Sequence, residues 1–369
     1  MKPKLSDKKN GKLVILFIII FPFIGDSQLP ANQFLEVDSF ASTIKYRTDL
    51  TRLTQELTKS YQEELLKARA IFRWITENIR YDYKYYNRYY YKNKEPKKFK
   101  CKNDNDCEAK EIAWEIKYID KVLRKKKAIC LGYSLLFKKM CDIAGLKSEL
   151  IPGYVRTRPT QVGTAGTLDH AWNALWIDST YHLIDATWAA GFTGKNEDGE
   201  LLFFKKKFNE YYWLTPPAKF ALDHYPQASK WTLLTNYTKE NFSANPYYAS
   251  DFKPLVKLLS PTTGLITVKK GDTIFFKMEY SGYLKYLQIN SNLFRNPEIW
   301  IKNKKSKGKQ NIILDSVAVK KQQYIPYSLN NGILEFQYIA TNNSLTYLDI
   351  LFDKDHVMRF RVHIDRTEQ

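Results

Sequence analysis

Residues 168–188 read LDHAWNALWIDSTYHLIDATW, two alternating runs on either side of the polar pair Asp178–Ser179. Alternation of apolar and polar residues marks strands, and a short polar pair between two such runs marks a tight reversal, so an antiparallel hairpin is expected. Period two places His170, Trp172, Ala174 and Trp176 on one face, with Ala171, Asn173, Leu175 and Ile177 on the other. A two-residue turn at Asp178–Ser179 or Ser179–Thr180 makes facing positions sum to an odd number. Asp185 then shares the face of His170, one or two diagonal steps away, and His182 points to the opposite face. A carboxylate beside an imidazole fixes its tautomer and steadies its cation, as a general base requires. The same pair also occurs in hairpins without any chemistry, so a nucleophile has to be found elsewhere.

The stretch KKKAICLGYSLLFKKMCDIAGL, Lys125–Leu146, supplies two cysteines. A helix beginning near Cys130 ends naturally at Gly145, where a left-handed cap is wanted. Cys141 lies roughly 16 Å further along that axis, too far to bond to Cys130. Between Met140 and Ile143 it reads as a small core hydrophobe. Cys130 differs because a helix start presents unsatisfied N–H groups and the positive end of the dipole, which favour a thiolate and can hold an oxyanion formed beside it. Cys130, His170 and Asp185 are therefore the candidate catalytic residues.

Around this centre, residues 49–79 carry apolar side chains at helical spacing and predict two helices. The tyrosine- and lysine-rich stretch that follows, up to Cys107, has no period and is expected to be a surface excursion, either an ordinary insertion or a lip that contacts substrate. Ile112, Ile116, Ile119 and Leu123 predict one apolar face of a further helix over 111–124, and SELIPGYVRT predicts a strand. After Asn245–Pro246 the texture changes to short alternating runs between turn signals, as in a β-sandwich over 251–369. His356 and His363 there are expected on solvated faces.

Composition bounds the partners. The chain has 369 residues, 44% hydrophobic, enough for two packed units. Its head combines five lysines with the apolar run Leu13–Ile24 and the small residues of Gly25–Asp26–Ser27, the pattern of a cleaved signal peptide over 1–27 and hence of export, to a periplasm or outside the cell. The run is shorter than the roughly 20 residues that span a bilayer, so no transmembrane span is expected after cleavage. Formal charge is +19, and loss of the head leaves +16. Such a charge favours anionic partners, for instance an acidic envelope polymer, although solubility alone also accounts for it. No nucleic-acid motif, paired Cys-x-x-Cys or His-Glu-x-x-His is present, so neither nucleic acid, metal nor cofactor is expected. Cys101 and Cys107, in a polar loop, are close enough to close a small ring.

Taken together, AICLGYSLLFKKMCDIAGLKSELIPGYVRT and DHAWNALWIDSTYHLIDATW resemble the nucleophile helix and the histidine and aspartate strands of the transglutaminase-like superfamily of papain-fold cysteine enzymes. KARAIFRWITENIRYD upstream and YYWLTPPAKFALDHYPQASKWTLL downstream are similar to the subgroup of kyphoscoliosis peptidase and hillarin, the latter segment through a pattern F-x-T-x-P-x-x-F-x-x-x-H-x-P. The resemblance implies an α+β fold, a papain-like transglutaminase core of helices on an antiparallel sheet over 28–250, followed by the all-β sandwich. It implies Cys130 as nucleophile, His170 as base and acid and Asp185 as orienter, acting on a peptide or protein amide by way of a thioester. Resolution by water would make a peptidase, resolution by an amine a cross-linker; the subgroup points to hydrolysis. The alternative is a non-catalytic binding or scaffold protein. One departure stands out: the family usually has glycine two residues before the cysteine, and this chain has Ala128.

Overall fold

The computed structural model describes residues 31–47, 49–88, 100–196, 199–293, 298–302, 310–314 and 323–366. The expected signal peptide lies outside the described residues. Among them no helix is long and apolar enough to cross a membrane. Buried side chains gather in two clusters, one drawn from Phe34 to Phe220 and one from Tyr248 to Ile364. The fold is mixed helix and strand, with a helix-on-sheet unit first and antiparallel sheets at the C-terminal end.

In the first cluster, helix Cys130–Ile143 lies on a four-stranded antiparallel sheet, and helices Leu50–Thr58 and Glu64–Asn78 pack against that helix. Across that sheet the order is Thr180–Ile184, Leu168–Ile177, Ser148–Val155, His224–Pro226. The hairpin turns at Asp178 and Ser179, both at positive φ (49° and 63°), and Ile177 faces Thr180. Two left-handed residues in a two-residue loop match the strand twist and set the register from which the faces of His170 and Asp185 follow. Gly153 faces His170 across the next pair of strands, and a Cβ there would come 2.1 Å from the ring of Trp172. Only glycine leaves that indole its place beneath the histidine.

The long helix runs from Asp104 to Lys125, earlier than expected, with Asn103 as its cap. Its second half is buried through Ile119 and Leu123, but Ile112 and Ile116 are 51% and 59% exposed, so the apolar face is core only where the helix meets Cys130–Ile143. Cys101 and Cys107 are joined by a disulfide, the second of them in the helix and not in a loop.

The second cluster packs strands Val256–Ser260, Thr273–Tyr280, Tyr327–Asn330 and Ile333–Ile339 against a sheet built on Leu287–Ser291, Tyr347–Phe352 and Asp355–Asp365. Tyr247–Tyr248 already pairs with Met358 and Arg359, so the chain enters the sandwich through a strand. His363 is exposed as expected, whereas His356 is half-buried, 3.0 Å from Asp349 Oδ1 and stacked on Tyr247.

Buried Arg156 organises the passage between the clusters. Its guanidinium donates to the carbonyls of Phe242, Ser243, Asn245 and Pro246. Phe242 and Ser243 share their carbonyls with the backbone N–H groups of Asn245 and Gly163, and the guanidinium ties all four together. Arg156→Met should cost about 3 kcal/mol of stability, because the carbonyls lose a charged donor that the apolar side chain does not replace. Chemical denaturation checks this; an unchanged midpoint would show that the passage is held by other means.

Candidate active site

Cys130 opens its helix directly. Ile129 before it is extended (φ −92°, ψ 177°), and Lys127–Ala128 pairs in parallel with Arg80–Tyr81. The chain thus reaches the cysteine from a short strand, where alanine is as much at ease as glycine. Ala128 is buried, and a Cβ on Gly132 would come 2.7 Å from the Ala128 Cβ. Space for the alanine comes from the glycine one turn later.

Two buried polar bonds seat this helix on the histidine strand. Ser134 Oγ donates to the carbonyl of Ala171 at 3.0 Å, and Asn173 Nδ2 donates to the carbonyl of Ser134 at 3.1 Å. They fix the height of the cysteine against the imidazole. The Cys130 sulfur lies 3.7 Å from the carbonyl oxygen of Asp169, next to His170. His170 Nε2 is 2.7 Å from Asp185 Oδ2. With Nε2 engaged, Nδ1 is the ring nitrogen left to turn towards Cys130, whose sulfur is near enough to help raise the pKa of His170. All three predicted residues meet, and all three are buried. His182 faces Leu175 on the other side of the hairpin, and Cys141 is core.

Asp185 is the N-cap of the short helix Ala186–Ala189, and its Oδ1 accepts from the backbone N–H groups of Thr187 (2.7 Å) and Trp188 (3.0 Å). Its Oδ2 meets a second imidazole that the strand pattern did not single out, His224, at 3.2 Å. His224 Nδ1 lies 2.6 Å from Asp223 Oδ1, and Asp223 contacts Lys253. His224 belongs to the strand at the opposite edge of the sheet from Thr180–Ile184, so one edge strand leads into Asp185, the other brings His224 to its Oδ2, and His170 reaches the same oxygen from the inner strand Leu168–Ile177. The subgroup-like segment ending H-x-P contained the signal, since it places His224 beside an aspartate.

His170, Asp185 and His224 offer ligand atoms within 4.8 Å of one another, a spacing a metal could use. Tetrahedral zinc with bonds near 2.1 Å holds its ligand atoms roughly 3.3 Å apart. The 2.7 Å contact of His170 with Asp185 is that of a direct charge-assisted hydrogen bond.

Electrostatics follow the same contacts. Burial works against a charged His170, yet the charge and hydrogen bond of Asp185, with a further hydrogen bond to Cys130, push its pKa from 6.5 up to about 10. Burial likewise works against an ionised Asp185, but His170 and then His224 hold it well below the usual carboxylate range. Asp223 is lowered against its burial by Lys253 and His224. Tyr81 and Tyr86, from the start of the tyrosine-rich excursion, sit near enough to the sulfur to feel it. Burial raises both hydroxyls, Tyr86 to about 12, with Cys130 contributing to each. Residues 89–99 of that excursion lie outside the described residues.

The arrangement offers a sulfur at a helix start, a base with its tautomer fixed, and a carboxylate behind it. The segment 48–190, which contains all three, matches the family described as transglutaminase-like domain. Residues 48–190 form a transglutaminase-like domain. The chain carrying it is 32% identical over 247 residues to kyphoscoliosis peptidase of Homo sapiens, covering 66% of this chain and 33% of the relative. It is 25% identical over 237 residues to hillarin of Drosophila melanogaster, covering 60% of this chain and 25% of that one. The matches therefore span about a third or less of these relatives. A crystal structure of a TGase covers 52% of this chain and 40% of its own at 17% identity, with a TM-score of 0.27, too low to carry weight.

The transglutaminase-like domain should hold its imidazolium through neutral pH. A histidine whose folded pKa is raised contributes fully below its ordinary 6.5, and the contribution is lost as pH rises through about 10. Asp185→Asn removes the attraction, so proton NMR of the histidines should find the half-titration of His170 at least roughly two pH units lower in that variant. Titration at the same pH in both proteins would mean that Asp185 does not govern His170.

Proposed function

We propose that the chain is an exported, cysteine-dependent acyl-transfer enzyme acting on peptide or glutamine-type amide bonds through a thioester on Cys130. The observation that supports this reading is the buried His170–Asp185 pair at 2.7 Å beside Cys130, whose sulfur lies 3.7 Å from the carbonyl oxygen of the adjacent Asp169.

The chemistry follows from those positions. His170 Nδ1 already holds the proton given up by the Cys130 thiol, and the sulfur of that thiolate–imidazolium pair attacks the carbonyl carbon of the amide. Negative charge moves to the carbonyl oxygen, where N–H groups of the first helical turn, which the helix itself does not use, can receive it. His170 then gives its proton to the leaving nitrogen, the C–N bond breaks and the thioester remains. Water or an amine attacks the thioester while His170 accepts its proton, the C–S bond breaks, and the thiolate–imidazolium pair is restored. Asp185 stabilises the imidazolium in each half and keeps Nε2 protonated.

Hydrolysis is the favoured outcome because the relatives at 31–32% identity are named as peptidases. Export rests on the sequence of residues 1–27, and the division into 28–250 and 251–369 on the change of texture after Asn245–Pro246; Tyr248 packs with the second cluster. A basic surface suits an anionic envelope component as a place of residence.

Incubation with a peptide mixture, quenching in acid and mass spectrometry of the Cys130 peptide test the reading. An acyl adduct on Cys130 is expected, absent from Cys130→Ser and lowered at least roughly a hundredfold in His170→Ala, the scale of general-base catalysis. Adding a primary amine separates the two outcomes: free acid marks a peptidase, substituted amide a cross-linker. No adduct with any peptide would leave a binding protein as the better description.

A further inference from the structure

Beyond the three residues above, one buried titratable group is tied to the site without a part in the chemistry. We infer that His224 is a positioning residue, held as an imidazolium between Asp185 and Asp223, and that it closes a series of alternating charges running from Cys130 to Lys253. The inference rests on the proposed function for its catalytic meaning, while its structural content can be read without turnover.

His224 Nε2 is 3.2 Å from Asp185 Oδ2, and Nδ1 is 2.6 Å from Asp223 Oδ1. An ionised carboxylate has no proton to give, so a ring nitrogen facing one has to donate. Neutral imidazole has one N–H; here both nitrogens face carboxylates. The ring is therefore doubly protonated unless one of the acids is, and each acid has its own reasons to stay ionised. Asp185 receives two backbone N–H groups and His170. Asp223 receives Lys253 and lies 3.3 Å from the hydroxyl of Tyr212, which in turn accepts from Lys253 at 2.9 Å. Both carboxyls are accordingly held low.

Four aromatic rings also surround His224. Phe220 stacks on it at 4.0 Å, with Trp188 at 4.6 Å, Trp172 at 5.1 Å and Tyr212 at 6.0 Å. The charged or titratable groups facing it are Asp185, Asp223, His170 at a ring distance of 5.6 Å, Tyr212 and, through Asp223, Lys253. In such surroundings charge-assisted bonds are strong and a lone charge is costly, so the members stand together. The sequence of signs is imidazolium at 170, carboxylate at 185, imidazolium at 224, carboxylate at 223 and ammonium at 253. A thiolate at 130 brings the total to zero.

Two consequences follow. Asp185 divides its Oδ2 between two cations, which moderates the hold on His170 and leaves that ring able to release its proton to a leaving group. Lys253, at the entry to the sandwich beside Phe252, makes the C-terminal unit part of the site's electrostatics.

The test uses the full chain with nitrogen-15-labelled histidine; there are five histidines to assign. In the wild-type protein at neutral pH, nitrogen–proton correlation spectra should show both ring nitrogens of His224 protonated. A neutral tautomer there overturns the inference, even in an active protein. In His224→Gln, the half-titration of His170 should move up by roughly one pH unit, since a competing cation on Asp185 is gone. At about pH 10, where wild-type His170 is half titrated, the variant's ring should still be about nine-tenths protonated. The same or a lower half-titration overturns the positioning role. Should His224→Gln fail to fold, the wild-type spectra decide alone. A protein that passes both tests but never forms an adduct on Cys130 refutes the enzymatic reading only.

Discussion

The carboxylate of Asp185 is fully buried, and it stays ionised because four donors converge on two oxygens: two backbone N–H groups on one, two imidazoles on the other. Without them burial would neutralise the group within the protein interior. Each donor comes from a different constraint. The hairpin register supplies His170, the cap of a short helix supplies the backbone N–H groups, and the far edge of the sheet supplies His224. The acid is thus the point where local structure, sheet order and electrostatics agree. Its ionised state is what keeps His170 cationic well above neutral pH.

Much of this was legible in the sequence because it depended on short-range rules. A two-residue turn and period two were enough to put His170 and Asp185 on one face and His182 on the other. The onset of helical spacing put Cys130 at a helix start, and Gly145 marked its end with the left-handed conformation found there. What the patterns could not reach were partners joined only by tertiary packing. His224 meets Asp185 from a strand 39 residues away, and Lys253 meets Asp223 across 30 residues of chain. Arg156 lies within the expected strand SELIPGYVRT, where nothing in the pattern marks it, and it is buried against carbonyls some 86 to 90 residues on. In the helix Asp104–Lys125, correct spacing did not imply burial at Ile112 and Ile116, since among the described residues it is the second half that the helix Cys130–Ile143 covers.

The departure at Ala128 shows how a family pattern can be met by other means. A small residue is needed where the strand Lys127–Ala128 crosses the nucleophile helix, and Gly132 provides the room from the helix side. The same economy appears at Gly153, whose missing side chain admits Trp172 beneath the histidine. Charge on the surface stands apart from this machinery. The excess of lysine bears on partners, while the site itself pairs every buried charge with an opposite one.

The central claim is that Cys130 and His170 act as one unit, and the rate at which iodoacetamide labels Cys130 at neutral pH tests it most directly. Cys141 is fully buried, its thiol pushed well above the ordinary range by that burial, and it should not interfere. The account predicts that the folded wild-type protein is labelled at one cysteine, Cys130, and that His170→Ala slows this labelling at least roughly tenfold, as expected when the partner that favours the thiolate is removed. Equal rates in the two folded proteins would contradict it, for the sulfur and the imidazole would then be neighbours without being partners.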